Sequence, residues 1–295
     1  MKKVWLLLVC VSLIMLAWCS ISNNTNTTIT SKKFLNVAYA NQSNTQKLDI
    51  YLPQGTGVSP VIIAIHWWAF MMGNKEASDV KPMLESVKRW YAVVTVNYRL
   101  SNEAKFPAAI DDIQKAITFI KQNAKTYNLN GDKIATWWDS AGGNLAALAG
   151  TMWTGDTKVQ AVVDWFGPIY FSTMDEQFKT LWVTPKMGST NTENSPESKY
   201  IWQTIGTVKA EPLVKQASPQ TYITKDTPAF FIQHGTVDTN IPITQSEEFA
   251  KALQQEIWTD KVIFEKIEGA AHWGAQFETQ ENLDKVFAFL DKYLK

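Results

Sequence analysis

Apolar runs of strand length alternate with segments of helical periodicity along most of this chain. Residues 61–65 read Val-Ile-Ile-Ala-Ile, an uninterrupted apolar run of the kind that is buried on both faces of a parallel sheet. Further along, Ile110, Ile113, Ile117 and Ile120 recur at helical spacing. This alternation predicts an α/β domain, in which a mostly parallel central sheet carries helices on both faces.

The predicted elements cover residues 33–295 except for one long insert. Strands are predicted at residues 34–40, 46–52, 61–65, 92–98, 134–136, 159–166, 229–234 and 262–267, the first two as an antiparallel pair. Helices are predicted around residues 79–89, 110–120, 145–152, 245–255 and 281–294. Residues 168–227 have weak periodicity and are rich in Thr, Ser, Asn, Pro and Lys. Irregular inserts of this length are usually functional, so we expect a lid-like, substrate-binding insert.

Composition excludes several classes of protein. The 295 residues include 28 Lys and Arg and 28 Asp and Glu, so the net charge is zero, and a nucleic-acid-binding protein would carry a basic surplus. Two cysteines exclude a disulfide scaffold and a cysteine-based zinc site. The three histidines lie in unrelated segments, so no metal site and no cofactor are expected. The sequence does not indicate an oligomeric state.

The first nineteen residues are predicted to be a signal for export. Lys2 and Lys3 precede a 15-residue apolar run that is too short for a membrane span but suits a signal peptide. The run ends Leu-Ala-Trp-Cys, which resembles a bacterial lipoprotein signal with Cys19 as the lipidated residue. Residues 20–32 are expected to be a flexible tether, because ten of the twelve residues 20–31 are Ser, Thr or Asn. We therefore expect an extracytoplasmic lipoprotein at the cell surface or in the periplasm, with secretion as the second choice.

The main candidate for chemistry is Ser140, which lies between a predicted strand and a predicted helix. Residues 138–142 read Trp-Asp-Ser-Ala-Gly and resemble the nucleophile elbow G-x-S-x-G, with Trp138 in place of the first glycine. In such an elbow a sharp turn strains the serine and exposes its Oγ, and the flanking residues must be small. The alternative is a structural serine that caps the helix.

Two other segments supply the partners that a nucleophilic serine needs. Asp238 and His272 each lie just beyond a predicted strand. The chain order Ser140, Asp238, His272 is that of α/β-hydrolases, and such folds place their chemistry beyond the carboxyl ends of the strands. A serine hydroxyl is a poor nucleophile, so His272 would remove its proton, and Asp238 would orient the imidazole and stabilise its cation.

The chain resembles bacterial carboxylesterases of the α/β-hydrolase fold, close to feruloyl-esterase-like and acetyl-xylan-esterase-like sequences. The resemblance covers about residues 46–293 and also rests on the segments 98–101 (Tyr-Arg-Leu-Ser), 106–109 (Phe-Pro-Ala-Ala), 165–168 (Trp-Phe-Gly-Pro) and 234–238 (His-Gly-Thr-Val-Asp). It implies a serine esterase that forms an acyl-enzyme through a Ser-His-Asp triad and acts on short-chain or polysaccharide-linked esters. The implied oxyanion hole consists of the backbone N–H groups of Trp67, Trp68 and Ala141. Tyr170 and Phe171, at the start of the insert, are expected to contact substrate.

Tryptophan occupies positions where the resembled motifs have glycine. The chain has 13 Trp and only 14 Gly, whereas glycine at its usual share of ~7% would number about 20. The motif positions concerned are Trp18, Trp67, Trp68, Trp90, Trp138 and Trp273, and Trp153, Trp202 and Trp258 lie in predicted turns. Either the chain is an inactive relative, or its gene reads UGA as glycine and was translated as though UGA meant tryptophan. Conversion of one residue type into one other at so many positions favours recoding, and with tryptophan in place we expect indoles to crowd Ser140.

Two other functions stay open on the sequence. A peptidase of the prolyl-oligopeptidase type shares the triad order, although no propeller domain is predicted. A non-catalytic binding protein on the same fold follows if the tryptophans are genuine. The substrate itself, whether a small molecule or a carbohydrate-linked ester, is not identified by any motif.

Overall fold

The computed structural model describes residues 32–55, 57–66, 68–76 and 80–295. The predicted signal with Cys19, most of the predicted tether and Trp67 lie outside these ranges. Within them, no helix is both long and apolar enough to cross a membrane.

Eight strands of the described residues form one sheet in the order β1-β2-β4-β3-β5-β6-β7-β8. Strand β2 is antiparallel to β1 and β4, and the other neighbouring pairs are parallel. The strands are β1 (Lys33–Ala38), β2 (Lys47–Tyr51), β3 (Ser59–Ile65), β4 (Ala92–Val96), β5 (Leu129–Asp139), β6 (Ala161–Trp165), β7 (Ala229–Gly235) and β8 (Val262–Ile267). The predicted mostly parallel sheet, with its antiparallel opening pair, is confirmed.

Helices pack against both faces of this sheet. Successive residues of a strand point to opposite faces. On β5, the ring of Trp137 lies 5.9 Å from that of Phe287 in the last helix, whereas Trp138 lies beneath the helix that begins at Ser140. The helices are α1 (Lys81–Leu84), α2 (Ala108–Gln122), α3 (Ala124–Tyr127), α4 (Ser140–Thr151), α5 (Met174–Thr180), α6 (Pro196–Ile201), α7 (Glu211–Gln216), α8 (Thr244–Ile257) and α9 (Gln280–Leu294).

The residues within and next to each element explain where it forms and where it ends. Residues 61–65 are almost completely buried because β3 lies in the middle of the sheet with helices on both sides. Helix α9 begins after Thr279, whose side chain caps the backbone N–H of Asn282, and it buries one apolar face. The predicted helix at 79–89 is shorter than expected, since α1 is followed by a 3-10 turn at Glu85–Arg89.

The insert at 168–227 is more regular than its sequence indicates, since it contains α5, α6 and α7. Polar contacts stabilise its segments together with buried apolar side chains such as Phe178, Tyr200 and Val214. Asp175 accepts the backbone N–H of Thr190 at 2.7 Å, and Glu211 accepts the hydroxyls of Tyr170 and Ser172. Hydrogen bonds of this kind leave no hydrophobic period in a sequence.

Among the described residues, four tryptophans have the positive φ values that favour glycine. Their φ values are 68° at Trp90, 57° at Trp182, 55° at Trp202 and 81° at Trp258. A bulky residue with positive φ is a genuine outlier, because its Cβ meets the following carbonyl oxygen. The side chains are 51–95% exposed, so packing offsets little of this strain. The backbone at the predicted glycine positions 90, 202 and 258 therefore has the conformation that glycine would adopt.

Candidate active site

Ser140 lies on a tight turn between β5 and α4. Its φ is 48°, a strained value that is typical of a nucleophile elbow. A Cβ atom on Gly142 would lie 2.2 Å from the carbonyl oxygen of Ile65, and one on Gly143 would lie 2.4 Å from Oδ1 of Asp164. The turn therefore requires glycine at both positions, as a G-x-S-x-G elbow does on the helix side.

The structure brings Ser140, His272 and Asp238 together in one hydrogen-bonded line. Nε2 of His272 lies 2.9 Å from Oγ of Ser140, and Nδ1 of His272 lies 2.8 Å from Oδ2 of Asp238. Because the carboxylate accepts at Nδ1, that nitrogen carries the proton and Nε2 is left to accept from the serine hydroxyl. This is the proton arrangement that a general base needs.

The loops after β7 and β8 hold the acid and the base beside the elbow. The backbone N–H of Thr236 donates to the carbonyl of Ile267 at 3.1 Å, and that of Val237 donates to Ala270 at 3.0 Å. A Cβ on Gly235 would lie 2.2 Å from the carbonyl oxygen of Ala270, so the two loops can only approach this closely at a glycine.

Asp238 is buried and well supplied with hydrogen-bond donors. Its Oδ1 accepts the backbone N–H groups of Asn240 at 2.7 Å and Ile241 at 3.0 Å. Burial by itself raises the pKa of this carboxyl, but His272 and His234 beside it lower the pKa further than burial raises it. The net pKa lies below the usual range, and Asp238 is ionised at neutral pH.

The start of α4 and the loop after β3 form the side of the cleft where the sequence predicts an oxyanion hole. The backbone N–H of Ala141, in the first turn of α4, has no acceptor within the helix and lies at its positive end. Trp68 lines the cleft above Ser140, and Trp67 lies outside the described residues. The loop is strained, because Ala69 and Phe70 both have positive φ values, of 55° and 60°.

His66 supports this loop from below. Its ring stacks on Tyr98 at 4.3 Å, and its carbonyl accepts the Tyr98 hydroxyl at 2.9 Å. Burial lowers the pKa of His66 to about 4, although a hydrogen bond with the Met72 backbone raises it in part. His66 is therefore neutral at neutral pH and lies in the core.

A cleft of about 310 Å³ opens over Ser140 and His272. The insert provides one wall and the loop after β3 the other. The lining residues of the insert are Pro168, Met174, Lys186, Met187, Gly188, Thr190, Ser195, Pro196 and Glu197. Burial raises the pKa of Glu197 to about 7, with a smaller contribution from the charge of Asp175. Nothing in the sequence pattern singles out Met174, Lys186 or Glu197, since they lie in the segment without periodicity.

Tyr170 and Phe171 are not among the described residues that line this cleft. Phe171 is buried in the core, with its ring 6.3 Å from both Phe70 and Tyr200. The hydroxyl of Tyr170 donates to Glu211 within the insert. Neither residue therefore faces the cleft: Phe171 packs in the core against Phe70 of the cleft wall, and Tyr170 is bonded within the insert.

Two tryptophans lie against the elbow. Trp138 is fully buried under α4, where its Cδ1 is only 2.7 Å from the position a Gly142 Cβ would take. Among the described residues, its indole N–H finds no acceptor, which costs about 1–3 kcal/mol for a buried donor. Trp68 is 41% exposed and narrows the cleft directly. One indole thus lies beneath the elbow, and another lines the cleft that holds Ser140.

The described residues contain no group of three His, Cys, Asp or Glu side chains that could hold a metal ion.

Known proteins share this sequence and fold. A probable carboxylic ester hydrolase of Mycobacterium tuberculosis, LipM, is 26% identical over 234 residues, which are 74% of this chain and 51% of that protein. The chain spans about half the length of the curated relatives it matches. A truncated carbohydrate esterase from gut microbiota aligns with a TM-score of 0.75 and 29% identity, over 90% of this chain and 97% of that one.

A bifunctional GH43-CE protein of Bacteroides eggerthii aligns with a TM-score of 0.76 and 30% identity, over 88% of this chain and 35% of that one. These similarities confirm the predicted α/β-hydrolase fold and the resemblance to esterases of the feruloyl and acetyl-xylan type. Residues 48–253, which include Ser140 and Asp238, match the BD-FAE family. The chain therefore belongs to the BD-FAE family of α/β-hydrolases.

Proposed function

We propose that this protein is a serine carboxylic ester hydrolase that acts on short-chain or carbohydrate-linked esters. The observation that supports this most directly is the line of hydrogen bonds from Ser140 through His272 to Asp238. The names of its relatives, which are esterases and carbohydrate esterases, agree with the same reaction class.

The reaction would proceed through an acyl-enzyme. Oγ of Ser140 bonds to the ester carbonyl carbon while Nε2 of His272 takes the serine proton. The tetrahedral intermediate then collapses, and the alcohol leaves with the proton that His272 returns. Water, deprotonated by His272, attacks the acyl-serine, and the second tetrahedral intermediate collapses to the free acid as His272 returns the proton to Oγ of Ser140. The ionised Asp238 stabilises the imidazolium in both halves of the reaction.

The negative oxygen of each tetrahedral intermediate needs donors that are already oriented. The backbone N–H of Ala141 is available for this at the start of α4, and the loop after β3 would supply the backbone N–H groups of Trp67 and Trp68. Loss of one such donor costs about 10²–10³ in kcat. The strained loop geometry at Ala69 and Phe70 makes this side of the site sensitive to bulky neighbours.

The size and lining of the cleft favour a small acyl group. Its volume of about 310 Å³ is at the lower end of the range for small-molecule sites, ~300–1,000 Å³. Met174 and Met187 provide adaptable apolar surface, whereas Lys186, Glu197 and Asn240 offer polar groups that can bond sugar hydroxyls. A short acyl group on a polar alcohol, such as an acetylated oligosaccharide, fits this combination.

The test compares hydrolysis of 4-nitrophenyl acetate, acetylated xylo-oligosaccharides and a 4-nitrophenyl ester of a long fatty acid. Ser140→Ala should lower kcat by about 10⁶-fold without unfolding the protein, whereas Ser43→Ala, in a loop remote from the cleft, should leave it unchanged. Turnover that survives in Ser140→Ala contradicts the mechanism. Preference for the long-chain ester contradicts the substrate class.

Two further assays separate the other functions. Cleavage of a peptidyl-proline substrate in preference to all esters would support a peptidase. Oligosaccharide binding without any turnover, in a protein with glycine at positions 67, 68 and 138, would support a binding protein.

A further inference from the structure

His234 is a fully buried histidine that the mechanism above does not use. It lies in β7, four residues before Asp238. Its Nε2 is 3.0 Å from the carbonyl oxygen of Ile241 and 3.3 Å from Oδ2 of Asp238. Its Nδ1 is 2.7 Å from Oγ of Ser246, a fully buried residue of α8. Every ring nitrogen of His234 thus has a partner within the core.

These contacts fix which ring nitrogen carries the proton. Both neighbours of Nε2 are acceptors, a carbonyl oxygen and a carboxylate, so Nε2 must be the donor. Nδ1 then has a free lone pair, and the hydroxyl of Ser246 can donate to it. Ser246 therefore favours the one neutral tautomer of His234 whose N–H points at Asp238 and Ile241.

The position of this N–H matters because Oδ2 of Asp238 is also the oxygen that faces His272. The other oxygen, Oδ1, is held by the backbone N–H groups of Asn240 and Ile241. Nε2 of His234 donates most directly to the Ile241 carbonyl and also lies 3.3 Å from Oδ2, so each carboxylate oxygen faces at least one donor and rotation about the χ2 angle is disfavoured. The same N–H also holds the carbonyl of Ile241, which closes the turn from Asp238 to Ile241.

We propose that His234 is a positioning residue for the triad: its Nε2–H fixes the carboxylate of Asp238 toward His272, and Ser246 selects the tautomer that can do so. The inference rests on the esterase function proposed above. A buried histidine with a purely structural role would need only to fill its site and satisfy its two nitrogens. The proposal differs because it requires a donor at the Nε2 position in particular.

Two substitutions distinguish these roles. The amide nitrogen of glutamine can take the place of Nε2, whereas that of asparagine reaches only the place of Nδ1. His234→Gln should therefore keep most of the wild-type kcat. His234→Asn should lower kcat by roughly 10- to 100-fold, the usual effect of losing a residue that orients a reacting group, with little change in KM. Equal kcat values for the two variants, at equal thermal stability, would overturn the proposal.

A measurement on the unmodified protein covers the case in which His234→Asn does not fold. Imidazole ¹⁵N shifts should show a protonated Nε2 and an unprotonated Nδ1 for His234 at neutral pH. Ser246→Ala should weaken this preference and lower kcat by less than His234→Asn does. Protonation at Nδ1 in the wild-type protein would overturn the proposal regardless of activity.

Asp238→Asn separates this inference from the proposed function. If Asp238→Asn and Ser140→Ala leave ester turnover unchanged, the triad itself is wrong. If both abolish turnover while His234→Asn and His234→Gln behave alike, the triad stands and only the role of His234 fails.

Discussion

Replacement of Trp182 by glycine should increase the free energy of unfolding. Trp182 has a φ of 57°, and its side chain is 95% exposed. The residue therefore strains the backbone of the native state while its side chain makes few packing contacts. A residue with a Cβ pays about 1–2 kcal/mol in the left-handed region. Glycine removes that cost but loses about 0.4–1 kcal/mol through the greater entropy of its unfolded chain. The net gain is about 1 kcal/mol.

Alanine at the same position is the matched control. Trp182→Ala removes the same indole but keeps the Cβ, so it should not stabilise the protein. Trp258 has a φ of 81° and is 74% exposed, so it should behave in the same way. Trp258→Gly should have a larger free energy of unfolding than Trp258→Ala. Trp202 is less suitable, because its indole N–H donates to the carbonyl of Ser101 at 2.8 Å.

Trp153 provides the opposite control, since its φ is not positive. There, the greater entropy of the unfolded chain should make the glycine variant less stable than the alanine variant, by about 0.4–1 kcal/mol. Urea titration gives each free energy, and the melting temperature should rise by roughly 2 °C for each kcal/mol in a domain of this size. If Trp182→Gly and Trp258→Gly are no more stable than their alanine counterparts, the strain argument is wrong.

Three other predictions concern ionisation, export and the gene. Burial raises the pKa of Asp164 to about 7, against partial opposition from the Gly167 N–H and His234. Between about pH 4 and 7 this carboxyl is therefore neutral in the folded protein and ionised in the unfolded chain, so the free energy of unfolding falls as the pH rises. The stability of Asp164→Asn relative to wild type should increase over that range by up to about 1.4 kcal/mol per pH unit, and a constant difference would contradict this. Cys19→Ser should release the protein from membranes in soluble form, and unchanged membrane association would count against lipidation at Cys19. Peptide masses of the protein from its natural source should show glycine at positions 67, 68 and 138, with UGA codons there and UGG at Trp165; tryptophan in those peptides would exclude recoding and favour a binding protein.

The sequence alone predicts the parts of this protein that depend on local pattern. The alternation of apolar runs and helical periodicity predicts the strands, and the short run at 61–65 is a central strand because only such a strand is apolar throughout. The positions of Ser140, Asp238 and His272 just beyond strands predict that they meet, since parallel strands end at one edge of the sheet. The structure brings the three residues together there.

Tertiary contacts determine what lies around that line of residues. Phe171 lies in the core and Glu197 lies in the cleft wall because the insert packs against the loop after β3. Packing of this kind produces no periodic pattern in the sequence. His234 looks from its sequence like a strand-end histidine, and only the fold brings Ser246 and Asp238 to its two nitrogens. The sequence determines local elements because propensity and periodicity act over a few residues, whereas a cleft wall or a buried hydrogen-bond chain joins residues that are distant along the chain.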